Sequence, residues 1–188
     1  MRVTELGLHG LKRIEPHCFP DSRGFFLETY NAPRYREAGI GVTFVQDNHS
    51  RSTRGTLRGL HYQSSPGQAK LLSCATGRIF DVVVDIRPDS PTFGRWEGHY
   101  LDAETHAQLF VPIGFAHGFC VVSDVADVLY KVSAVYDAAT ERSVRFDDPD
   151  IGVEWPIRDP IVSDRDRQAE SFASLRDRLL RELGAPNR

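Results

Sequence analysis

The segment Pro112–Phe119, with the sequence PIGFAHGF, gives the first indication of the fold. Its proline and first glycine are typical of a tight turn, and the residues that follow predict a β-strand over Ala116–Ser123. Pro112, Gly114 and His117 stand at the spacing P-x-G-x-x-H. The segment therefore predicts a strand that begins beside a turn and carries a histidine near its start.

Short β-type runs, separated by Gly, Pro, Asp and Asn, extend from this segment in both directions. Many short strands in series are typical of an antiparallel sandwich or barrel, and a jelly roll fits their number. The P-x-G-x-x-H spacing is that of the second cupin motif and favours the same fold. We predict one domain over residues 1–188, an all-β, cupin-like jelly-roll barrel with further strands at Val42–Asp47, Thr56–Gln63, Ala69–Ala75, Arg78–Ile86, Trp96–Leu101, Ala107–Pro112, Asp127–Tyr136 and Ser143–Phe146.

Helices are expected only at the margins of this barrel. Pro33 opens a short N-terminal helix that Gly39 ends. A C-terminal helix is predicted over about residues 171–183, because apolar residues recur there at helical spacing: Phe172, Leu175, Leu179 and Leu183.

Composition narrows the possible functions. The 188 residues carry a formal net charge of -3, which argues against a dedicated nucleic-acid binder with a basic surface. We find neither a signal peptide nor an apolar run long enough to span a bilayer. Three cysteines without a C-x-x-C motif predict neither a disulfide framework nor a zinc knuckle. We therefore expect no membrane association and a cytoplasmic location.

Alternation along the strands predicts which side chains share a face. Asp81 and Asp85 share a face of the run Arg78–Ile86, and we expect them to pair with arginine or with backbone at the rim of the barrel. Tyr130 and Tyr136 share a face of Asp127–Tyr136. Without further evidence, two tyrosines on an apolar face are amphipathic core residues.

The run RGLH at 58–61 places an arginine and a histidine in one strand. Their odd spacing would direct Arg58 and His61 to opposite faces, unless a bulge at Gly59 brings both inward. Metal-binding cupins supply H-x-H and a Glu from this strand, whereas this chain offers His61 alone. One histidine from each motif is too few ligands for a stable site, so we predict that the protein uses no metal.

The sequence resembles the dTDP-4-dehydrorhamnose 3,5-epimerases from about Leu8 to Phe172. The resemblance rests on ordered motifs: DSRGFFLE at 21–28, QDN at 46–48, RGLH at 58–61, QAK at 68–70, DVVVDIR at 81–87, SPTFG at 90–94, AHGF at 116–119 and SDRD at 163–166.

The resemblance implies proton exchange at C3 and C5 of a dTDP-4-keto-6-deoxyhexose, with no redox cofactor or metal. Both carbons lie next to the C4 ketone, so the reaction needs a base, an acid on the opposite face and a group that holds the enolate oxygen. By resemblance, His61 is the base, Asp166 orients it, Tyr130 is the acid and Lys70 stabilises the enolate. In an unrelated sequence, Asp166 would be read as a helix cap or a loop carboxylate.

The same resemblance implies a set of substrate contacts, with Tyr136 stacked on the thymine. The other residues of the set are Arg23, Glu28, Gln46, Asn48, Arg58, His117, Glu141 and Arg165. Many of these would otherwise be read as solvated surface residues. The resemblance further implies a homodimer, in which the extended segment with Arg23 and Glu28 reaches the nucleotide of the neighbouring subunit, and a role in deoxysugar supply for polysaccharides such as O-antigen.

Four functions are consistent with these residues. The first is the 3,5-epimerase, and the second is a mono-epimerase or ketoisomerase that acts on a related dTDP-sugar. The third is a metal-dependent cupin oxygenase, which metal analysis and chelation would distinguish. The fourth is a catalytically silent sugar-binding cupin, which the presence of His61 and Asp166 disfavours.

Overall fold

Two antiparallel sheets face each other in this protein, whose computed structural model describes residues 1–184. One sheet has six strands in the order β1-β2-β10-β7-β12-β5, the other has five in the order β13-β6-β11-β8-β9, and β3 and β4 form a separate hairpin. This is the cupin-like jelly roll that the sequence predicts. The strands are β1 Arg2–Glu5, β2 Lys12–Glu15, β3 Cys18–Asp21, β4 Gly24–Leu27, β5 Gln46–Thr53, β6 Leu57–Gln63, β7 Lys70–Thr76, β8 Arg78–Asp85, β9 Trp96–Asp102, β10 Gln108–Val111, β11 Phe115–Val121, β12 Val125–Val132 and β13 Glu141–Ser143.

The space between the two sheets is filled by apolar side chains at one end. Leu72 and Leu109 of the six-stranded sheet and Ile79, Val83 and Phe119 of the five-stranded sheet belong to this cluster. β11, which follows the turn at Pro112–Gly114, lies at the centre of the five-stranded sheet and is buried along its whole length. The core therefore fixes how the two sheets are placed relative to each other.

Residues 1–184 form three helices, which lie outside the barrel: α1 Ala32–Glu37, α2 Asp164–Arg167 and α3 Phe172–Gly184. Around α1, Tyr35 packs with Leu71 and Phe110 on the outer face of the six-stranded sheet. On α3, Phe172 and Leu175 belong to a cluster on the outer face of the five-stranded sheet. The predicted N-terminal and C-terminal helices are confirmed, whereas α2 is an addition. No helix within residues 1–184 has both the length and the apolar character needed to cross a membrane.

The predicted strand Val42–Asp47 is wrong for most of its length. The strand in this region is β5, Gln46–Thr53, and it contains no apolar residue. Exposed side chains alternate with partly or fully buried ones, because one face borders a polar cavity while the other meets solvent. Apolar periodicity was therefore the wrong signal for a strand that has no hydrophobic face.

Other boundaries also differ from the prediction. The strand predicted over Asp127–Tyr136 ends at Val132, and the one predicted over Ser143–Phe146 lies at Glu141–Ser143. The strands β1 to β4 were not predicted, because each has only four residues and the first two are rich in charge. The apolar strands β7 to β11 lie within two residues of their predicted bounds.

One extra residue in β6 determines which of its side chains face inward. His117 pairs with His61 and Phe119 pairs with Arg58, so two steps along β11 match three along β6. This is the irregularity expected at Gly59, and both Arg58 and His61 line the same cavity. Gly59 has φ 122°, and a Cβ atom there would lie 2.5 Å from the Cα atom of Gly118.

We predict that Gly59→Ala destabilises the protein more than Gly24→Ala. Both glycines have a positive φ, at 122° and 129°, but a Cβ at Gly24 would meet nothing within 4 Å. Backbone strain of roughly 1–2 kcal/mol is common to both variants, while the steric clash adds about 1–3 kcal/mol at Gly59 alone. Denaturant unfolding measures the difference, and equal losses in the two variants would contradict it.

Candidate active site

A cavity of about 370 Å³ lies between the two sheets and is lined by both. The five-stranded sheet contributes Arg58, His61, His117, Phe119 and Glu141, and the six-stranded sheet contributes Gln46, Asn48, Ser50, Lys70, Val128 and Tyr130. Gln68 and Tyr136 complete the lining from connecting segments. Nine of the thirteen predicted site residues line this one cavity: Gln46, Asn48, Arg58, His61, Lys70, His117, Tyr130, Tyr136 and Glu141.

His61 forms a hydrogen bond with a buried carboxylate. The distance from Nε2 of His61 to Oδ1 of Asp166 is 2.6 Å, and Asp166 is 3% exposed. Burial alone would raise the pKa of Asp166, but hydrogen bonding to His61, with a smaller contribution from the backbone N–H of Gly59, lowers its pKa overall. A carboxylate that stays ionised orients the imidazole and stabilises it when it takes up a proton.

The short helix α2 explains how Asp166 comes to be placed there. Ser163 caps this helix, and its hydroxyl accepts a hydrogen bond from the backbone N–H of Asp166. The carboxylate of Asp166 is therefore not needed as a cap and bonds to the histidine instead. Read as an ordinary carboxylate, Asp166 would have been a helix cap or a loop residue, whereas the resemblance predicts its contact with His61.

A second histidine–carboxylate pair lies on the neighbouring strands. Nε2 of His117 is 2.8 Å from Oδ2 of Asp81, and Asp81 is fully buried. The expectation for Asp81 was therefore wrong, because this carboxylate pairs with a histidine in the wall of the cavity. Asp85 behaves as expected and binds the Arg87 guanidinium through both carboxylate oxygens. Alternation had placed Asp81 and Asp85 on one face of the strand but could not identify the partner of either.

The six-stranded sheet contributes a lysine and a tyrosine to the opposite wall. Burial lowers the pKa of Lys70 to about 8, although the carboxylates of Glu141 and Asp81 act in the other direction. Burial raises the pKa of Tyr130, and the positive charge of Arg58 only partly offsets it. Tyr130 is therefore protonated at neutral pH and can donate a proton. Burial destabilises the charged form of Lys70, so its ammonium group loses a proton more readily than that of an exposed lysine.

The mouth of the cavity carries Tyr136, which is 51% exposed. Tyr136 lies beyond the end of β12, so it does not share a strand face with Tyr130, although both line the cavity. Arg165 is not among the residues that line the cavity, but its guanidinium forms an ion pair of 2.6 Å with Glu141, which is. The side-chain amide of Gln46 is already used internally, because its oxygen accepts the backbone N–H of Tyr136.

Two predicted residues lie away from the cavity of their own chain. Arg23 is at the turn of the β3–β4 hairpin, has a side chain 88% exposed and pairs with Asp21. Glu28 pairs with Arg34 at the start of α1. Within a single chain, neither residue joins the other predicted contacts.

Four lining residues were not predicted: Ser50, Gln68, Phe119 and Val128. Ser50 and Val128 follow by alternation from Asn48 and Tyr130, two residues away on the same strands. Gln68 and Phe119 lie in two of the motifs that carry the resemblance, but no role had been considered for them. Phe119 also follows by alternation, from His117 two residues away on β11, so only Gln68 required the structure to place it.

Metal ligation was a separate question for these histidines. Within residues 1–184 no group of three or more His, Cys, Asp or Glu side chains is arranged to hold a metal ion. The Nε2 atoms of His61 and His117 are each in contact with a carboxylate. The site therefore consists of two histidine–carboxylate pairs, a lysine and a tyrosine around one cavity.

Such a cavity can move protons on a bound molecule, because it offers an imidazole from one sheet and a phenol from the other. The fold and the site define a class: isomerases built on a cupin-like jelly roll. A family model described as dTDP-4-dehydrorhamnose 3,5-epimerase matches residues 5–174. The chain belongs to the dTDP-4-dehydrorhamnose 3,5-epimerase family.

Individual relatives agree with this assignment. The chain is 49% identical to a dTDP-4-dehydrorhamnose 3,5-epimerase of Shigella flexneri over 92% of this chain and 96% of the relative. A solved dTDP-6-deoxy-D-glucose-3,5-epimerase of Legionella pneumophila, in complex with dTDP-4-keto-L-rhamnose, is 45% identical with a TM-score of 0.89 and covers 93% of this chain and 96% of its own. A dTDP-4-dehydrorhamnose 3-epimerase of Streptomyces niveus is 43% identical over 94% and 86% of the two chains.

We predict that Lys70 loses its proton near pH 8. Reductive methylation with ¹³C-formaldehyde gives each of the three lysines an NMR signal, and Lys70→Arg identifies the relevant one by its loss. Because burial lowers its pKa, that signal should titrate with a midpoint of about 8, well below the roughly 10.4 of a free lysine. In Glu141→Gln the midpoint should fall further. A midpoint at 10 or above would contradict the prediction.

Proposed function

We propose that this protein epimerises C3 and C5 of dTDP-4-dehydro-6-deoxy-D-glucose and yields dTDP-4-dehydro-L-rhamnose. The observation that carries the proposal is the division of the cavity: His61, backed by Asp166, belongs to one sheet and Tyr130 to the other. Inversion at carbon requires that a proton leaves one face and another arrives at the opposite face. Membership of the family supplies the substrate class.

In the proposed reaction, the neutral imidazole of His61 removes a proton from the carbon next to the ketone. The electron pair of the broken C–H bond forms the enolate, whose negative charge rests on the C4 oxygen. The Lys70 ammonium stabilises this oxygen. The Tyr130 hydroxyl then protonates the carbon on the other face, and water restores the proton of Tyr130 and removes that of His61. The atoms of substrate and product balance without an oxidant.

The remaining lining residues have places in this proposal. Arg58 and His117 contact the sugar or the phosphates, since a guanidinium can bind two phosphate oxygens at once. Tyr136 stacks on the thymine at the mouth of the cavity, with Gln46, Asn48, Glu141 and Arg165 around it. The cytoplasmic location and the use of the product in O-antigen or other polysaccharides stay predictions from the sequence.

Epimerisation at a single carbon is the second candidate, because a relative 43% identical is named as a 3-epimerase. The same base and acid suit both reactions, so the number of carbons that exchange must be measured.

The decisive experiment is turnover of dTDP-4-dehydro-6-deoxy-D-glucose in D₂O, with deuterium counted at each carbon by NMR. We expect the wild-type protein to incorporate deuterium at both C3 and C5. Tyr130→Phe should still exchange hydrogen with solvent but should form little epimer, because the proton returns to the face it left. Tyr100→Phe, which alters an exposed tyrosine on β9, should behave as wild type.

Different outcomes separate the candidates. Deuterium at one carbon only would establish a mono-epimerase, and no exchange at either carbon would refute the epimerase proposal. Unchanged epimer formation by Tyr130→Phe would show that this tyrosine has a structural role only.

We also propose that the protein is a homodimer whose β3–β4 hairpin reaches the cavity of the partner subunit. Three aromatic residues of this hairpin are exposed to 54–70%: Phe19, Phe25 and Phe26. Apolar groups presented together in this way are typical of an interface. Arg23 lies at the tip of the same hairpin, so an interface there would deliver a guanidinium to a second copy of the chain.

Mixing two inactive variants tests this arrangement. Arg23→Ala keeps its own His61, whereas His61→Ala keeps its own hairpin. If hairpins are exchanged across a closed two-fold dimer, the mixed dimer contains one intact site, and random reassociation should restore about a quarter of the wild-type activity. Each variant alone is the control. A mixture without rescue, or a monomer by light scattering, would refute the shared site.

A further inference from the structure

The residues between β12 and β13 carry Tyr136 to the mouth of the cavity without regular backbone pairing. Within residues 1–184, Ala134, Val135 and Tyr136 form no hydrogen bond to another backbone group. Ser133 ends the paired region, since its N–H still donates to the carbonyl of Ala69. We call residues 134–136 the tyrosine segment. Its position must be fixed by other contacts, because an unpaired connection of this kind is otherwise mobile.

Three glutamine side chains supply these contacts. The amide nitrogen of Gln68 donates to the carbonyl of Ala134 at 2.8 Å, and that of Gln63 donates to the carbonyl of Val135 at 3.3 Å. The amide oxygen of Gln46 accepts the N–H of Tyr136 at 2.9 Å. One backbone group of each residue of the tyrosine segment is therefore bound by a glutamine, in place of a strand neighbour.

The glutamines are themselves held in fixed orientations. Gln68 also donates to the amide oxygen of Gln63 at 3.2 Å, and Gln63 is only 8% exposed at the end of β6. The amide nitrogen of Gln46 donates to Oδ1 of Asn48 at 2.8 Å. These internal bonds fix which end of each amide faces the tyrosine segment.

We propose that Gln63 and Gln68 are positioning residues for nucleotide binding, which act by fixing the tyrosine segment so that Tyr136 is preorganised to stack on the base. The inference rests on the proposed function, because it takes the nucleotide of a dTDP-sugar as the ligand of Tyr136. Preorganisation improves affinity because the ligand does not have to order the segment when it binds. The proton-transfer residues His61, Lys70, Tyr130 and Asp166 bond to neither glutamine.

Calorimetric titration with dTDP tests the proposal without depending on turnover. Gln68→Met keeps the length of the side chain but removes both of its donors. Loss of these hydrogen bonds should weaken dTDP binding about 3- to 10-fold and raise KM for the dTDP-sugar, while kcat stays near wild type. Gln68→Glu, which places a carboxylate against the Ala134 carbonyl, should weaken binding at least as much and serves if the first variant folds poorly.

A double-mutant cycle with Tyr136→Ala separates positioning from direct contact, because Gln68 also lines the cavity. If Gln68 acts through Tyr136, Gln68→Met should have almost no effect on dTDP affinity once the ring has been removed. An undiminished effect in that background would overturn the proposal and make Gln68 a direct ligand. An unchanged affinity in the wild-type background would overturn it as well.

Gln108→Met is the matched control for loss of a buried amide. Gln108 also donates to a backbone carbonyl, that of Thr29 at 2.7 Å, but on the outer face of the six-stranded sheet. Its replacement should lower thermal stability and leave dTDP affinity unchanged. Peptide-level hydrogen exchange over residues 133–140 should accelerate in Gln68→Met and not in Gln108→Met. Equal acceleration in both variants would contradict a specific role of Gln68 in fixing the tyrosine segment.

The two proposals fail in different ways. A wild-type protein that does not bind dTDP would refute both the proposed function and the positioning role. A wild-type protein that binds dTDP and loses affinity in Tyr136→Ala, but not in Gln68→Met, would refute only the positioning role.

Discussion

The close approach of β6 and β11 at Gly59 and Gly118 is the constraint on which the site depends. With no side chain on either residue, the two backbones meet where β6 carries its extra residue. That extra residue reverses the alternation of β6, and Arg58 and His61 then line one cavity. A regular strand would send one of them to the outer face of the sheet, and the base could not stand opposite Tyr130.

One end of the barrel holds the polar cavity, and the other end is filled by the apolar core. The residues of the strands account for this difference. β5 contains no apolar residue, and β8 places the carboxylate of Asp81 between Ile79 and Val83 of the core. Each of these inward carboxylates and imidazoles near the cavity has a partner: Asp166 for His61 and Asp81 for His117. Buried charge is tolerated because it is paired, and the pairs fix the imidazole orientations.

Much of the fold could be predicted from the sequence, because the strands that build the core are short β-type runs bounded by Gly, Pro, Asp and Asn. The strands β7 to β11 were found for this reason, and the turn before β11 located its start. β5 could not be found by hydrophobicity, since function rather than packing selects its residues. The short charged strands β1 and β2 carry too few residues for a periodic signal. Pairing of strands distant in sequence is also a long-range property that no local pattern contains.

The residues that line the cavity were predicted better than the residues that hold them in place. Resemblance identified the residues that line the cavity, including His61, Lys70 and Tyr130, and alternation made the inward direction of several of them plausible. The partner of His117 and the glutamines around the tyrosine segment were missed, because these contacts join segments far apart in the chain. Arg23 and Glu28 lie outside the cavity of their own chain, where a single subunit gives them no ligand to contact.

Because His61 and Tyr130 belong to different sheets, the hydrophobic core between the sheets affects the distance between these two residues. Facing sheets stand about 10 Å apart, and the side chains between them set that spacing. Here those side chains include Leu72 and Leu109 from one sheet and Val83 and Phe119 from the other. The core thereby acts as a spacer that sets the gap between proton acceptor and proton donor. A methylene gained or lost in it would alter that gap, so the relative position of the two proton-transfer groups depends on side chains that never touch the substrate.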